Sequence, residues 1–230
     1  MSIGQADKYE FSIAGKVIEV YPSQKPDKAI VYMNTFSGEG DKVYRVMRDM
    51  GCPDFSLVAI SGLAWDCDMA PWDIPPISPK DTPCTGGADK YLQLLTDKII
   101  PQVENLVQSI SWRGIAGYSL AGLFAVYSLY QTDMFSRVAS MSGSFWFPGF
   151  IEYVTSHEMK KRPEHIYLSL GDKECRTKNP YLKTVQQNTE MLQNLYASYN
   201  VDTFFQLNPG NHYKNALQRT ATGLAWILSR

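Results

Sequence analysis

The sequence predicts an α/β protein whose mostly parallel central sheet carries helices on both faces. Three observations carry this expectation. Continuous apolar runs of strand length alternate along the chain with longer stretches of helical periodicity. A pair of β-rich runs at the start supplies antiparallel edge strands. Gly117-Tyr118-Ser119-Leu120-Ala121-Gly122 then joins an apolar run to an apolar helix through a turn with small residues two before and two after Ser119.

Tyr9 to Ile13 and Lys16 to Tyr21 flank Ala14-Gly15 and predict a hairpin. Ala29 to Met33, Phe55 to Ile60, Gly114 to Gly117, Val138 to Met141, Ile166 to Leu170 and Thr203 to Leu207 read as strands buried on both faces. Helical periodicity covers Asp41 to Met50, Ala88 to Ile110 with a kink at Pro101, Leu120 to Tyr130, Tyr181 to Ser198 and Tyr213 to Leu228. The segment 61–87 fits neither pattern and carries five prolines with Trp65 and Trp72. A loop of that length in a compact domain serves either as a wall of the functional site or as a Pro-stiffened excursion anchored by its tryptophans. Its start, just past the carboxyl end of the run Phe55 to Ile60, places it at the edge where such sheets bind ligands.

With 230 residues, 44% hydrophobic and 20% charged, the chain suits one α/β domain spanning 1–230. Its formal charge of −1 and lack of a basic stripe argue against nucleic acid or an anionic membrane as partner. No apolar run approaches the ~18 residues of a spanning helix, and Met1 to Lys8 lacks the pattern of a secretory leader, so a cytoplasmic location is expected. The four cysteines are scattered without C-x-x-C spacing and read as reduced; Cys67 and Cys84 could pair only in an oxidising compartment. The oligomeric state is not legible.

The turn around Ser119 has the strand–turn–helix context of a nucleophile elbow. There the serine sits on strained backbone, and the residues two before and two after it must be small, as Gly117 and Ala121 are. A serine needs a base, and the base needs an orienting carboxylate. Of the three histidines, His157 lies in a polar stretch and His165 precedes its strand on the side away from ligand-binding edges. His212 instead follows the last strand through Asn208-Pro209-Gly210-Asn211, at the carboxyl edge. The acid belongs after Ile166 to Leu170, where Gly171-Asp172-Lys173-Glu174 offers two carboxylates. A tight turn at Gly171 would project Glu174 beyond the strand end, which favours Glu174, with Asp172 as a turn former. The backbone N–H of Leu120 would supply one oxyanion donor and that of Phe36 or Thr35 the other. No H-E-x-x-H pattern or other His–carboxylate cluster suggests a metal, and no cofactor is called for.

These residues resemble the esterase D-like group of α/β-hydrolases, which includes enterochelin and salmochelin esterases, S-formylglutathione hydrolase, feruloyl esterases and mycolyltransferases. The likeness covers nearly the whole chain. It is carried by Gly117 to Gly122, Ser140-Met141-Ser142-Gly143-Ser144-Phe145-Trp146, Gly171 to Glu174, Pro209-Gly210-Asn211-His212, and Trp65 to Trp72 followed by Gly86-Gly87-Ala88-Asp89. It implies the α/β-hydrolase fold and hydrolysis of a small-molecule ester through an acyl-enzyme, without a cofactor. Some siderophore esterases of the group work with a serine–histidine pair, so the resemblance also admits a site without an orienting acid. Candidate substrate contacts are Thr35, Tyr118, Trp65, Asp68, Trp72, Phe145 and Trp146. An acyltransferase would use the same residues, and a silent binding module on this scaffold would not need them intact.

Overall fold

The computed structural model describes residues 8–230; the expectation about the N-terminal segment falls largely on residues 1–7, outside the described ones. Strands β1 (Tyr9–Ile13) and β2 (Lys16–Tyr21) pair antiparallel. Ala14 and Gly15 both take positive φ between them, 49° and 79°, as a two-residue turn matched to strand twist requires. Next come β3 (Lys28–Asn34), α1 (Gly40–Asp49) and β4 (Phe55–Ser61). The excursion then holds a short helix, α2 (Trp65–Asp68), and a small ribbon of β5 (Asp73–Ile74) and β6 (Cys84–Thr85). It is followed by α3 (Ala88–Leu94), a π-helical turn at Leu95–Ile99, and α4 (Ile100–Glu104). The remainder alternates: β7 (Ile110–Tyr118), α5 (Leu120–Gln131), β8 (Arg137–Met141), α6 (Phe150–Ser156), β9 (His165–Gly171), α7 (Val185–Ser198), β10 (Asp202–Asn208) and α8 (Ala216–Leu228).

The sheet order is β1-β2-β4-β3-β7-β8-β9-β10, and every pairing from β4 to β10 is parallel. This is the expected mostly parallel sheet of the α/β-hydrolase type. One face is covered by α3 to α7, whose Tyr91, Leu95, Phe124, Phe150 and Leu192 are buried in one apolar cluster. The other face is covered by α1 and α8 through Val43, Met47, Ala221, Leu224 and Ile227. Burying a side chain of this size stabilises by about 1.5–3 kcal/mol, which explains why the central strands are apolar on both faces. The order reverses at β3, whose neighbours β4 and β7 lie on opposite sides, so ligands belong at the carboxyl ends of these strands.

Several expectations are corrected. The run Thr203 to Leu207 is the outer edge strand rather than a strand buried on both faces, with Phe204 41% and Leu207 47% exposed. The helix expected through Ile110 ends at Glu104, and Ile110 already belongs to β7. Pro101 sits where the π-helical turn runs on into α4, and that wider turn accommodates its ring and missing N–H. Tyr181 to Thr184 is a turn leading into 3₁₀ geometry, and α8 begins at Ala216, after Asn215 in the left-handed region at φ 55°. Helix α6 adds a helix whose span the periodicity does not mark; it ends at Ser156, where the polar stretch around His157 begins. No helix among the described residues is long and apolar enough to cross a membrane, and Cys52, Cys67, Cys84 and Cys175 are all free thiols.

Candidate active site

Ser119 lies between β7 and α5 at φ 61°, ψ −124°, a conformation that costs a non-glycine residue about 1–3 kcal/mol. Local hydrogen bonds over-determine it. Its N–H donates to Met141 O at 3.0 Å, and its carbonyl accepts from Gly122, Leu123 and Ser144 N–H at 3.0, 3.1 and 3.1 Å. A Cβ at Gly117 would overlap the carbonyl and Cβ of Ala121, which is why both positions must be small. Gly117→Ala is expected to destabilise the fold by about 1–3 kcal/mol, read by denaturant unfolding, because the overlap is with backbone that cannot swing away.

His212 follows β10 and is held from below: Tyr118 O–H donates to its carbonyl at 2.6 Å, and the two rings meet edge to face at 5.4 Å. Its Nε2 lies 3.1 Å from Ser119 Oγ and its Nδ1 2.7 Å from Glu174 Oε2. The carboxylate can only accept, so Nδ1 carries the proton and Nε2 is left to accept from the serine hydroxyl. Ser144 Oγ, buried 3.3 Å from Ser119 Oγ, then has the geometry to donate to the serine oxygen.

Glu174 is 5% exposed, and its Oε1 accepts from Gly171 N–H at 2.6 Å, Ser142 O–H at 2.8 Å and Arg219 Nη2 at 2.9 Å. Burial pushes its carboxyl up, but the hydrogen bond and charge of His212, together with Arg219 and the Gly171 amide, outweigh burial and hold it at about 2. A Cβ on Gly171 would collide with Gly210 O and come within 3.0 Å of Glu174 Oε1, so only glycine admits the turn. Asp172 faces elsewhere, accepting the Gly210 N–H at 2.7 Å and tying this turn to the His212 loop.

The Leu120 amide stands at the first position of α5, ahead of the helix's own hydrogen bonds, and Leu120 lines the same cleft as Ser119. The other expected donors are engaged within the chain. Thr35 N–H and O–H both donate to Ile60 O, at 2.8 and 2.9 Å, whereas Phe36 N–H donates to Glu39 at a long 3.3 Å.

A cleft of about 520 Å³ opens over Ser119, Leu120, Ser142, Glu174 and His212. Ile74, Pro75 and Ile77 from the excursion face Leu182, Val185, Trp146 and Tyr213 around it, and Asp66, Lys80, Asp81 and Thr82 add a polar stretch. The excursion thus lines the mouth, through residues other than the aromatic ones expected there. Trp72 is withdrawn into a cluster with Phe147, Phe150 and Tyr153, its Nε1–H donating to Pro148 O at 2.9 Å. Trp65 packs edge-on to Phe36 at 5.0 Å, Asp68 pairs with Lys16, and Phe145 is fully buried against Phe150. Of the expected substrate contacts, only Trp146 lines the cleft. Tyr213, 83% exposed, and Arg219 were missed by sequence reasoning. A charged residue on the stripe that Gly223 and Ile227 bury was the available signal for the latter. His165 pairs with Asp202 at the amino ends of β9 and β10, and His157 bonds Tyr153 O; neither lines the cleft.

The chain is similar to several known proteins. A Bacillus subtilis (strain 168) protein named uncharacterized protein YbbA is 23% identical over 187 residues, covering 77% of this chain and 75% of that one. An IroE-like serine hydrolase from Shewanella oneidensis superposes with a TM-score of 0.78 at 14% identity, over 97% of this chain and 80% of the other. Siderophore hydrolase EstA from Aspergillus nidulans does so at 0.71 and 18% identity, over 97% and 94%. The model of the family described as "Putative esterase" matches residues 39–220, a span that holds Ser119, Glu174 and His212. The chain belongs to that esterase family and has the α/β-hydrolase fold.

Proposed function

We propose that this chain hydrolyses small-molecule carboxylic esters through an acyl-enzyme on Ser119, acting as one α/β domain in the reducing cytoplasm, where its four thiols stay free. The observation that carries the reading is the unbroken chain from Ser119 Oγ through His212 to Glu174 on the floor of an open cleft. As Oγ attacks the ester carbonyl, its proton passes to His212 Nε2, and buried Glu174 stabilises the imidazolium without taking the proton. The Leu120 amide holds the oxyanion, joined by the Phe36 amide once its long bond to Glu39 is exchanged for the new charge. Collapse breaks the bond to the alcohol oxygen, which takes the Nε2 proton; water then repeats the sequence and releases the acid.

EstA acts on siderophores, and a siderophore ester is one member of the substrate class proposed here. The charges of the cleft narrow that class. Lys80 is +1 and Asp66 and Asp81 are −2 together, a sum of −1, while Glu174 is offset by Arg219. A neutral ester should therefore show kcat/KM on the order of tenfold above the same ester carrying a sulfonate, with the gap narrowing in high salt. A panel of aryl, thioester, acetylated-sugar and trilactone esters, run on wild type and Ser119→Ala, tests the reading. Turnover surviving in Ser119→Ala would sink it.

A further inference from the structure

Arg219 stands in the first turn of α8, where the helix dipole disfavours a cation, and its side chain is only 4% exposed. Neither the helix nor solvent explains a guanidinium there; its partners do. Nη2 reaches Glu174 Oε1 at 2.9 Å and also donates to Ser142 Oγ. Nη1 donates to Asn211 O, the carbonyl before His212, at 3.3 Å, and the guanidinium lies 5.5 Å from the Tyr118 ring centre. One cation thus touches the segments after β8, β9 and β10 and the end of β7. Its Nε has no partner among the described residues, so the side chain is placed by these contacts and not by its own complete satisfaction.

We propose that Arg219 is the positioning residue of this site, locking the Glu174 carboxylate and the Asn211–His212 turn into the arrangement in which Oε2 alone faces His212 Nδ1. The inference rests on the reading of Glu174 as the orienting acid. Oε1 is saturated by three donors, Arg219, Ser142 and Gly171, and Oε2 receives only His212. The titratable or charged groups facing Glu174 are His212 from the turn after β10, Arg219 from α8 and Tyr118 from β7. With Arg219 gone, Glu174 keeps its burial but loses a cation, and it takes up a proton at higher pH.

A double-mutant cycle on the whole enzyme with a neutral ester tests this, using Glu174→Gln, Arg219→Gln and the pair. Arg219→Gln should lower kcat by on the order of 10–100-fold with KM within about threefold, and the low-pH fall in melting temperature that protonation of Glu174 causes should set in at higher pH than in wild type. The double variant should be within about threefold of Glu174→Gln alone, because Arg219 acts through that carboxylate. Losses that multiply in the double variant, or an Arg219→Gln enzyme with wild-type kcat and the wild-type low-pH fall in melting temperature, overturn the proposal. If Arg219→Gln does not fold, Arg219→Lys decides: it keeps the charge but cannot bridge Glu174, Ser142 and Asn211 at once, so kcat should fall about tenfold at constant KM. An unaltered kcat in Arg219→Lys overturns the proposal. An unaltered kcat in Glu174→Gln removes the acid assignment and this proposal with it, whereas a loss there without non-additivity removes the proposal alone.

Discussion

Replacing His212 by Ala is expected to lower kcat by on the order of 10⁴–10⁶, with KM within a few-fold, because base and nucleophile act as a unit. Ser119 Oγ has two side-chain partners among the described residues, His212 Nε2 and Ser144 Oγ, and a serine hydroxyl is no base at neutral pH. The His212 side chain is 29% exposed at the cleft floor, so its removal should leave the melting temperature within a few degrees of wild type. Steady-state kinetics on a chromogenic ester and a thermal melt check both parts. A loss below about tenfold would mean that another group takes the serine proton.

Glu174→Gln should lower kcat by on the order of 10²–10⁴, whereas Asp172→Asn should change it less than about threefold. The neutral amide no longer stabilises the imidazolium, and it leaves Arg219 buried without its counter-ion. Asn at 172 still offers the oxygen that Gly210 N–H needs. The reverse ranking would reassign the acid. A second signature lies in stability. Glu174 is held at about 2 in the fold against an ordinary 4.5, so the folded state is the one that prefers the ionised form. The resulting stabilisation, about 3 kcal/mol from a shift of that size, is fully present above about pH 4.5 and is lost as the pH falls through about 2. Melting temperature plotted against pH should therefore fall across that window in wild type and lose that part of its slope in Glu174→Gln.

Where chemistry and chain direction act together, the sequence is legible. The elbow needs small residues at fixed offsets from Ser119, and a base after the last strand and an acid after the one before it follow from the sheet. His212 and Glu174 accordingly meet, through the turn that Gly171 permits. The strands were legible because continuous apolar runs are what burial between two helical layers demands. Periodicity failed where no single side chain marks the boundary. Beyond Pro101 the apolar pattern of Val103, Val107 and Ile110 continues although α4 stops at Glu104 and Ile110 enters β7. Thr203 to Leu207 looks like a central strand because Phe204 and Leu207 are apolar, yet they lie on the sheet edge, where Phe204 stacks on Trp226 at 5.8 Å. Trp72 misled for a related reason: a tryptophan in a loop fits a cleft wall and a core bolt equally well, and Phe147 and Phe150 drew it into the core. Tyr213 depends on how the His212 turn meets α8, which no local pattern encodes, whereas Arg219 is marked only by a charge on the stripe that Gly223 and Ile227 bury, a pattern that shows burial but not the partner.

Activation of Ser119 by His212 can be read out with a fluorophosphonate probe followed by peptide mapping. An aliphatic serine attacks such a phosphorus centre readily only when a base takes its proton and oxyanion donors face the new charge. One covalent label is expected, on Ser119, formed without added metal, absent in Ser119→Ala and slowed on the order of 100-fold or more in His212→Ala. A label mapped to another residue, or labelling of Ser119 undiminished in His212→Ala, would contradict this activation.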